Sequence, residues 1–338
     1  MAFLSFIIVF GIVSIVHELG HFLTGKAFGF RILEFAIGFG PAIFRKKKGE
    51  TEYALRLLPL GGLNRFDDGE EGREADARSF ANKPFYQRFL VILAGSAMNI
   101  LLAVMLVSIL FAFTGTPVIS IADTIPGSPA EASGIMEDDI ILEIEGQAML
   151  TSESIVSILS ESAGTPVDIT IERDGQRRVI SVTPEADPAD GRAKIGIYMQ
   201  QVLKKKGAAA SFSDGVRFLY EIIKLTVRAL GEVVTGRGLN QISGPVGIAV
   251  ASAEAARNGI ASFVLLIALI SVSLGVFNLI PLPILDGGWL VFMTIERITG
   301  RKIPERLMTS LKVAGIALFI ALALYATYSD ILRIFLGR

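Results

Sequence analysis

The sequence predicts a polytopic α-helical membrane protein with four transmembrane helices, a membrane-associated β-hairpin and an inserted extracytoplasmic α+β domain. Three observations predict it. Hydrophobic residues make up 51% of the 338 and charged residues only 19%, whereas soluble domains carry about 25% charged residues. The deficit sits in three blocks free of Asp, Glu, Lys and Arg, at 89–122, 258–285 and 313–329. Between the first two lies a stretch of ordinary soluble character. Mean hydropathy is +0.56, and a helix of about 20 apolar residues crosses about 30 Å of hydrocarbon. The balance of 32 Lys+Arg against 33 Asp+Glu excludes the basic face of a nucleic-acid binder. Zero cysteines exclude disulfides and thiolate metal sites.

The elements follow in order. Ala2–Val16 is apolar, and the pattern resumes through Leu19, Phe22 and Leu23. With Lys26 as its first basic residue and no small-residue cleavage site, the stretch reads as a retained span, about 2–24, rather than a signal peptide. Two apolar arms, Phe35–Phe44 and Thr51–Leu60, flank the polar tip Arg45–Glu50 and predict a β-hairpin over about 34–62. Its apolar arms suit a hairpin that dips against the membrane core, where protein must cover its edges. Span two is about 88–113 and contains Gly95 and Asn99. Short β-rich runs at Val167–Arg173, Arg178–Thr183 and Lys194–Met199, separated by turns such as Asp174-Gly175, predict the α+β domain. Phe212, Val216, Leu219, Ile222, Ile223 and Leu230 then recur at helical spacing, an amphipathic helix that suits a membrane surface. Span three, about 261–281, ends at Pro281 and Pro283, and span four is about 311–330.

The resulting domains are an N-terminal membrane core at 1–115, the insert at 116–203, a linker helix at 204–240 and a C-terminal membrane core at 241–338. Lys26, Arg31, Arg45–Lys48, Arg56, Arg65, Arg73, Arg78 and Lys83 lie in one connection, and Arg297, Arg301, Lys302 and Arg306 in another. The positive-inside rule therefore places loops 25–87 and about 285–310 in the cytoplasm, with both termini and the insert outside. Lys46–Lys48 needs no role beyond this topology signal and lipid contact.

Both histidines of the chain fall in His17-Glu18-Leu19-Gly20-His21. Four residues apart on a helix, two imidazoles share a face and can hold one zinc, with Glu18 in the general-base position beside them. A carboxylate inside a span costs about 2.5–3.5 kcal/mol on insertion scales, so a purely structural role is the weaker reading. A catalytic zinc takes three protein ligands, and with no third histidine the third is a carboxylate. Asp286 is the candidate, at the end of an uncharged run and followed by Gly287 and Gly288. Asn278 suits either an interhelical hydrogen bond or a clamp on substrate backbone or oxyanion. Asn99 fits the interhelical role better.

These residues resemble the site-2 proteases, intramembrane zinc metalloproteases, and in particular their bacterial RseP-like branch. The resemblance rests on His17–His21 paired with Leu285-Asp286-Gly287, and on Gly38-Phe39-Gly40, Gly95–Asn99 and Asn278–Pro283. The insert, with Ile125–Ala130 and Gly134–Ile141, resembles a PDZ domain. The resemblance implies one Zn2+ per chain, with His17, His21 and Asp286 as ligands and Glu18 as general base. It implies substrate contacts at Gly38, Phe39, Gly40, Asn278 and Pro281. Substrates would be single-pass transmembrane proteins, anti-sigma-factor-like or remnant signal peptides, cleaved in a bacterial inner membrane, with a peptide as ligand of the PDZ domain. An inactive PDZ scaffold and a metal- or proton-linked transporter are the alternatives. Four spans without an inverted repeat argue against transport.

Overall fold

A computed structural model describes residues 2–68, 76–149, 151–187, 191–236 and 243–336. Arg73 of the predicted basic loop and residues 237–240 of the predicted linker helix lie outside the described residues. In chain order, α1 (Ala2–Ala27) leads into β1 (Ile32–Lys48) and β2 (Thr51–Phe66), and a 3-10 turn (Phe80–Asn82) precedes α2 (Phe85–Thr114). The insert follows as β3 (Thr116–Thr124), α3 (Pro129–Ala132), β4 (Ile140–Ile144), β5 (Gln147–Ala148), α4 (Ser152–Glu161), β6 (Val167–Arg173), β7 (Gln176–Val182), β8 (Glu185–Ala186), β9 (Ala193–Lys194) and β10 (Ile197–Lys204). Five helices complete the chain: α5 (Ala208–Val234), α6 (Pro245–Arg257), α7 (Ile260–Asn278), α8 (Asp286–Thr299) and α9 (Glu305–Leu336). Two compact units emerge, one of residues 1–107 with 219–338 and one of residues 108–218.

In the first unit, α1, α2, α7 and α9 are long and apolar enough to cross a membrane. These are the four spans the sequence predicts. Each of α1, α2 and α9 runs past its expected ends, because hydrophobicity marks the hydrocarbon crossing while the helix continues into flanking charged residues such as Lys26 and Glu305. α7 stops earlier, at Asn278 rather than 281. Pro281 and Pro283 disfavour helical geometry in the residues before them, so the break falls a turn upstream. α1 and α2 cross closely at Gly20, where a Cβ would lie 2.8 Å from the Ala94 carbonyl carbon and 2.9 Å from Gly95 Cα. Val9, Val13 and Ile267 form a buried seam between α1 and α7.

The hairpin is more folded than its sequence suggests. Its turn is the two residues between the paired Lys48 and Thr51, so Lys46–Lys48 belong to β1 rather than to a loose tip. Residues 34–37 face 62–65 on one side and 52–55 on the other, while 44–48 pair with 51–55. β1 and β2 therefore each bend, at Gly38–Gly40 and at Gly61, and four short runs lie side by side. Gly38, Gly40 and Gly61 all have φ between 86° and 88°, a left-handed backbone that glycine adopts without strain. Phe22 of α1 stacks on Phe35 and Tyr53, with centroids 4.8 and 5.9 Å apart. Phe30, Ile32 and Val91 close a small core beneath. The far end of the hairpin exposes Phe39, Ile43, Phe44, Leu55, Leu57 and Leu58, an apolar surface suited to lipid or an extended apolar segment.

Two helices, α6 and α8, were not expected from the sequence. α6 has Gly244 at its N-cap with no side chain to cap it. Asp330 of α9, 1% exposed, does so from a distance: its Oδ2 accepts the Gly247 N–H at 2.7 Å. A carboxylate at a helix N-terminus satisfies a donor and complements the dipole. Asp330→Ala is expected to destabilise the protein by about 1–2 kcal/mol, and a thermal unfolding scan in detergent should show Tm lowered by about 2–4 °C.

The second unit holds an antiparallel sheet in the order β10-β3-β4-β6-β7, with β5 paired to β4. Ile119, Ile121, Ile141, Ile144, Ile169 and Ile171 fill its inner face, and α4 covers them with Ile155 and Leu159. Asp139 is fully buried, and Arg173 grips both its carboxylate oxygens at 2.7 and 2.6 Å. The Asp139 carboxylate holds the Arg173 guanidinium above its ordinary pKa.

Candidate metal centre

Helical spacing brings His17 and His21 to one face of α1, their rings edge to face at 4.8 Å. The third group arrives from α8. After α7 ends at Asn278, residues 279–285 fold back through tight turns, with Leu282 N–H donating to Ile280 O and Leu285 N–H to Leu282 O. Asp286 is the first residue of α8, where the helix N-terminus favours a carboxylate. Gly288 makes the fold-back possible, since a Cβ there would lie 2.6 Å from the Leu282 carbonyl carbon.

The three side chains converge on one point. His17 Nε2 and His21 Nε2 are 3.2 Å apart, and Asp286 Oδ2 is 3.2 and 3.3 Å from them. Three vertices of a tetrahedron with those edges lie about 2.0 Å from its centre, the usual zinc–nitrogen and zinc–oxygen distance. His21 Nδ1 donates to Val91 O at 2.8 Å. That second hydrogen bond fixes the tautomer and leaves Nε2 with its lone pair facing inward. Asp286 Oδ2 is buried and accepts from no donor among the described residues. A single cation between them would engage all three atoms at once, and two imidazoles with a carboxylate are a donor set that zinc takes. The residues fit the metal.

Glu18 stands beside the cluster without joining it. It lines the same cavity of about 520 Å3 as His17, His21, Asn278 and Asp286. Asn64 of β2 donates from Nδ2 to Glu18 Oε2 at 2.7 Å and to Glu18 O at 2.8 Å. Asn278 Nδ2 lies 3.4 Å from His17 Nε2, so of the predicted substrate contacts it is the one within reach of the cluster. Pro281 is exposed and does not line the cavity. Gly38, Phe39 and Gly40 do not line it either, and they form the bend of β1, where Arg56 Nη1 donates to Gly40 O at 3.0 Å. The hairpin reaches the cavity instead through Gly62, Leu63, Asn64, Arg65 and Phe66.

Sequence reasoning missed Asn64 and Gly62, and named Gly95 only within span two and the family resemblance, without a place in the site. Gly95 of α2 packs directly on the histidines, where a Cβ would lie 2.5 Å from His21 Cε1 and 2.8 Å from His17 Cε1. Gly95→Val is expected to weaken zinc binding at least tenfold by pushing the imidazoles apart, read by titration against a chelator of known affinity. The signal available for Gly95 was a glycine inside an apolar span, a poor helix former, whereas Asn64 lies beyond the predicted hairpin, about 34–62, and joins it only because β2 runs on to Phe66.

The profile of Peptidase family M50 matches residues 5–322. The zinc metalloprotease RasP of Geobacillus kaustophilus is 33% identical, with 98% of each chain covered. The regulator of sigma-W protease RasP of Bacillus subtilis is 31% identical over 98% of this chain and 99% of its own. A putative zinc metalloprotease of a Nostoc species is 33% identical over 96% and 94%. With the match running through His17–His21 and Asp286 alike, the chain belongs to Peptidase family M50, the site-2 proteases, and is a membrane-embedded zinc metalloprotease.

Proposed function

We propose that this protease cleaves single-pass transmembrane helices within a bacterial inner membrane, anti-sigma-factor-like proteins or remnant signal peptides, with His17, His21 and Asp286 as zinc ligands and Glu18 as general base. The observation that carries the reading is the 3.2–3.3 Å triangle of His17, His21 and Asp286 beside Glu18, with both histidines and Glu18 on the apolar helix α1 and Asp286 at the start of α8. Held by His17, His21 and Asp286, zinc would supply Lewis-acid polarisation of a water and of the scissile carbonyl. Glu18 takes the proton of that water and returns it to the leaving amine. Asn278, at the rim of the cluster, holds the substrate backbone or the developing oxyanion.

A helical substrate hides its carbonyls in internal hydrogen bonds and must unwind before attack. An extended segment regains backbone partners by adding to a sheet edge. Residues 62–66 pair with one neighbouring run and line the metal cavity, which makes them the edge nearest the chemistry. Gly38, Phe39 and Gly40 then contact the substrate further out, at the exposed bend, and Pro281 does so at the break after α7. The insert acts as a PDZ domain that screens substrates through a peptide ligand. It lies on the extracytoplasmic side with both termini, while loops 25–87 and about 285–310 face the cytoplasm.

The test is cleavage of a single-pass reporter co-reconstituted in liposomes. Cleavage that stops on chelation and returns with added zinc supports the reading. Cleavage that persists in the metal-stripped protein, or a reporter cut only outside its membrane segment, overturns it.

A further inference from the structure

An asparagine is a poor strand former, yet Asn64 sits inside β2, paired across the sheet with Phe35. Its side-chain hydrogen bonds do not serve the sheet. Nδ2 reaches two acceptors of a single residue on another element, Glu18 Oε2 at 2.7 Å and Glu18 O at 2.8 Å. Two acceptors on one side settle which end of the amide is nitrogen. The other end, Oδ1, is buried and meets no donor among the described residues. Every side-chain hydrogen bond that Asn64 makes among the described residues therefore goes to Glu18.

Gly62 lies two residues earlier and so on the same face of the strand. A Cβ at Gly62 would sit 2.5 Å from Glu18 Cγ and 2.9 Å from Ala36 O. The strand thus touches the stem of Glu18 at Gly62 and its head at Asn64. A glutamate has three side-chain torsions, and a general base works only when held within hydrogen-bond reach of its proton. A misplacement of about 1 Å can cost about 10²-fold in rate.

We infer that Asn64 is a positioning residue that fixes the Glu18 carboxylate from the hairpin, engaging Oε2 and leaving Oε1 to receive the proton. The inference rests on the reading of Glu18 as general base. It also ties the base to the strand that lines the cavity, so that displacing the hairpin displaces the base with it.

The test compares Asn64→Leu, Asn64→Gln and Glu18→Gln in the full chain, with steady-state cleavage of a single-pass reporter and zinc per chain measured for each. Leucine matches the size of asparagine and forms strands at least as well, so it removes the donor without weakening the hairpin. The expected result is a kcat lowered about tenfold to a hundredfold in Asn64→Leu, KM within twofold and zinc at the wild-type level. Asn64→Gln, which keeps the amide, should recover at least a third of the lost activity on a logarithmic scale. A kcat within twofold of wild type in Asn64→Leu overturns the inference, as does a loss that falls on KM or zinc instead, or one that Gln leaves unrelieved. If Glu18→Gln itself stays active, the base assignment fails first. If Glu18→Gln is inactive while Asn64→Leu is not, only the role of Asn64 fails.

Discussion

Glu18→Gln leaves zinc bound at the wild-type level and lowers cleavage of a membrane-spanning reporter by about 10²–10⁴-fold, the range expected for loss of a positioned general base. The reasoning is geometric. Glu18 lines the cavity with the metal cluster, but the three converging ligand atoms belong to His17, His21 and Asp286. Removing the carboxylate therefore takes away a proton acceptor and no metal ligand. Glutamine keeps the shape, and its side-chain oxygen can still accept from Asn64. The backbone of residue 18 continues to receive the second Asn64 hydrogen bond, 2.8 Å in the wild type. Hence the fold and the hairpin contact survive. Elemental analysis alongside the cleavage assay checks both halves. Cleavage within tenfold of wild type would remove Glu18 from the mechanism.

Asp286→Ala abolishes cleavage by a different route, through the metal. Losing one of three protein ligands should weaken zinc binding by more than about 10²-fold, beyond the range seen when only an outer-shell partner is lost. The structural loss is smaller. Asp286 opens α8, and a partly buried carboxylate at a helix N-terminus is worth up to about 2 kcal/mol. Alanine is also the best helix former. The variant should fold, with Tm within a few degrees of wild type, and purify with less than a tenth of the wild-type zinc after dialysis. Full zinc occupancy in folded Asp286→Ala would mean that another residue is the third ligand.

The chemistry was legible in the sequence because it was written in rare letters. Two histidines in 338 residues, four apart in an apolar span, and one carboxylate closing an uncharged run leave few arrangements. Apolar length likewise marked all four spans. What stayed hidden depended on contacts between distant elements. Gly95 belongs to the motifs that carry the family resemblance, but its contact with His17 and His21 appears only once α2 packs on them. Asn64 falls past the end of the predicted hairpin and gains its role only because β2 runs on to Phe66 and reaches Glu18 of α1. α6 lacked a visible start because its cap, Asp330, comes from α9. The hairpin arms were recognised by their apolar pattern, but pattern cannot reveal that residues 34–37 take neighbours on both sides. That doubled pairing follows from the bends at Gly38–Gly40 and Gly61, and it moves the edge beside the metal to 62–66.

The central claim is the three-ligand metal site, and zinc K-edge X-ray absorption on the detergent-purified protein tests it most directly. The expected result is about one zinc per chain, with two imidazole nitrogens at about 2.0–2.1 Å and the remaining ligands oxygen. Zinc carrying fewer than two imidazoles, or a protein that takes up no zinc after repletion, would contradict it.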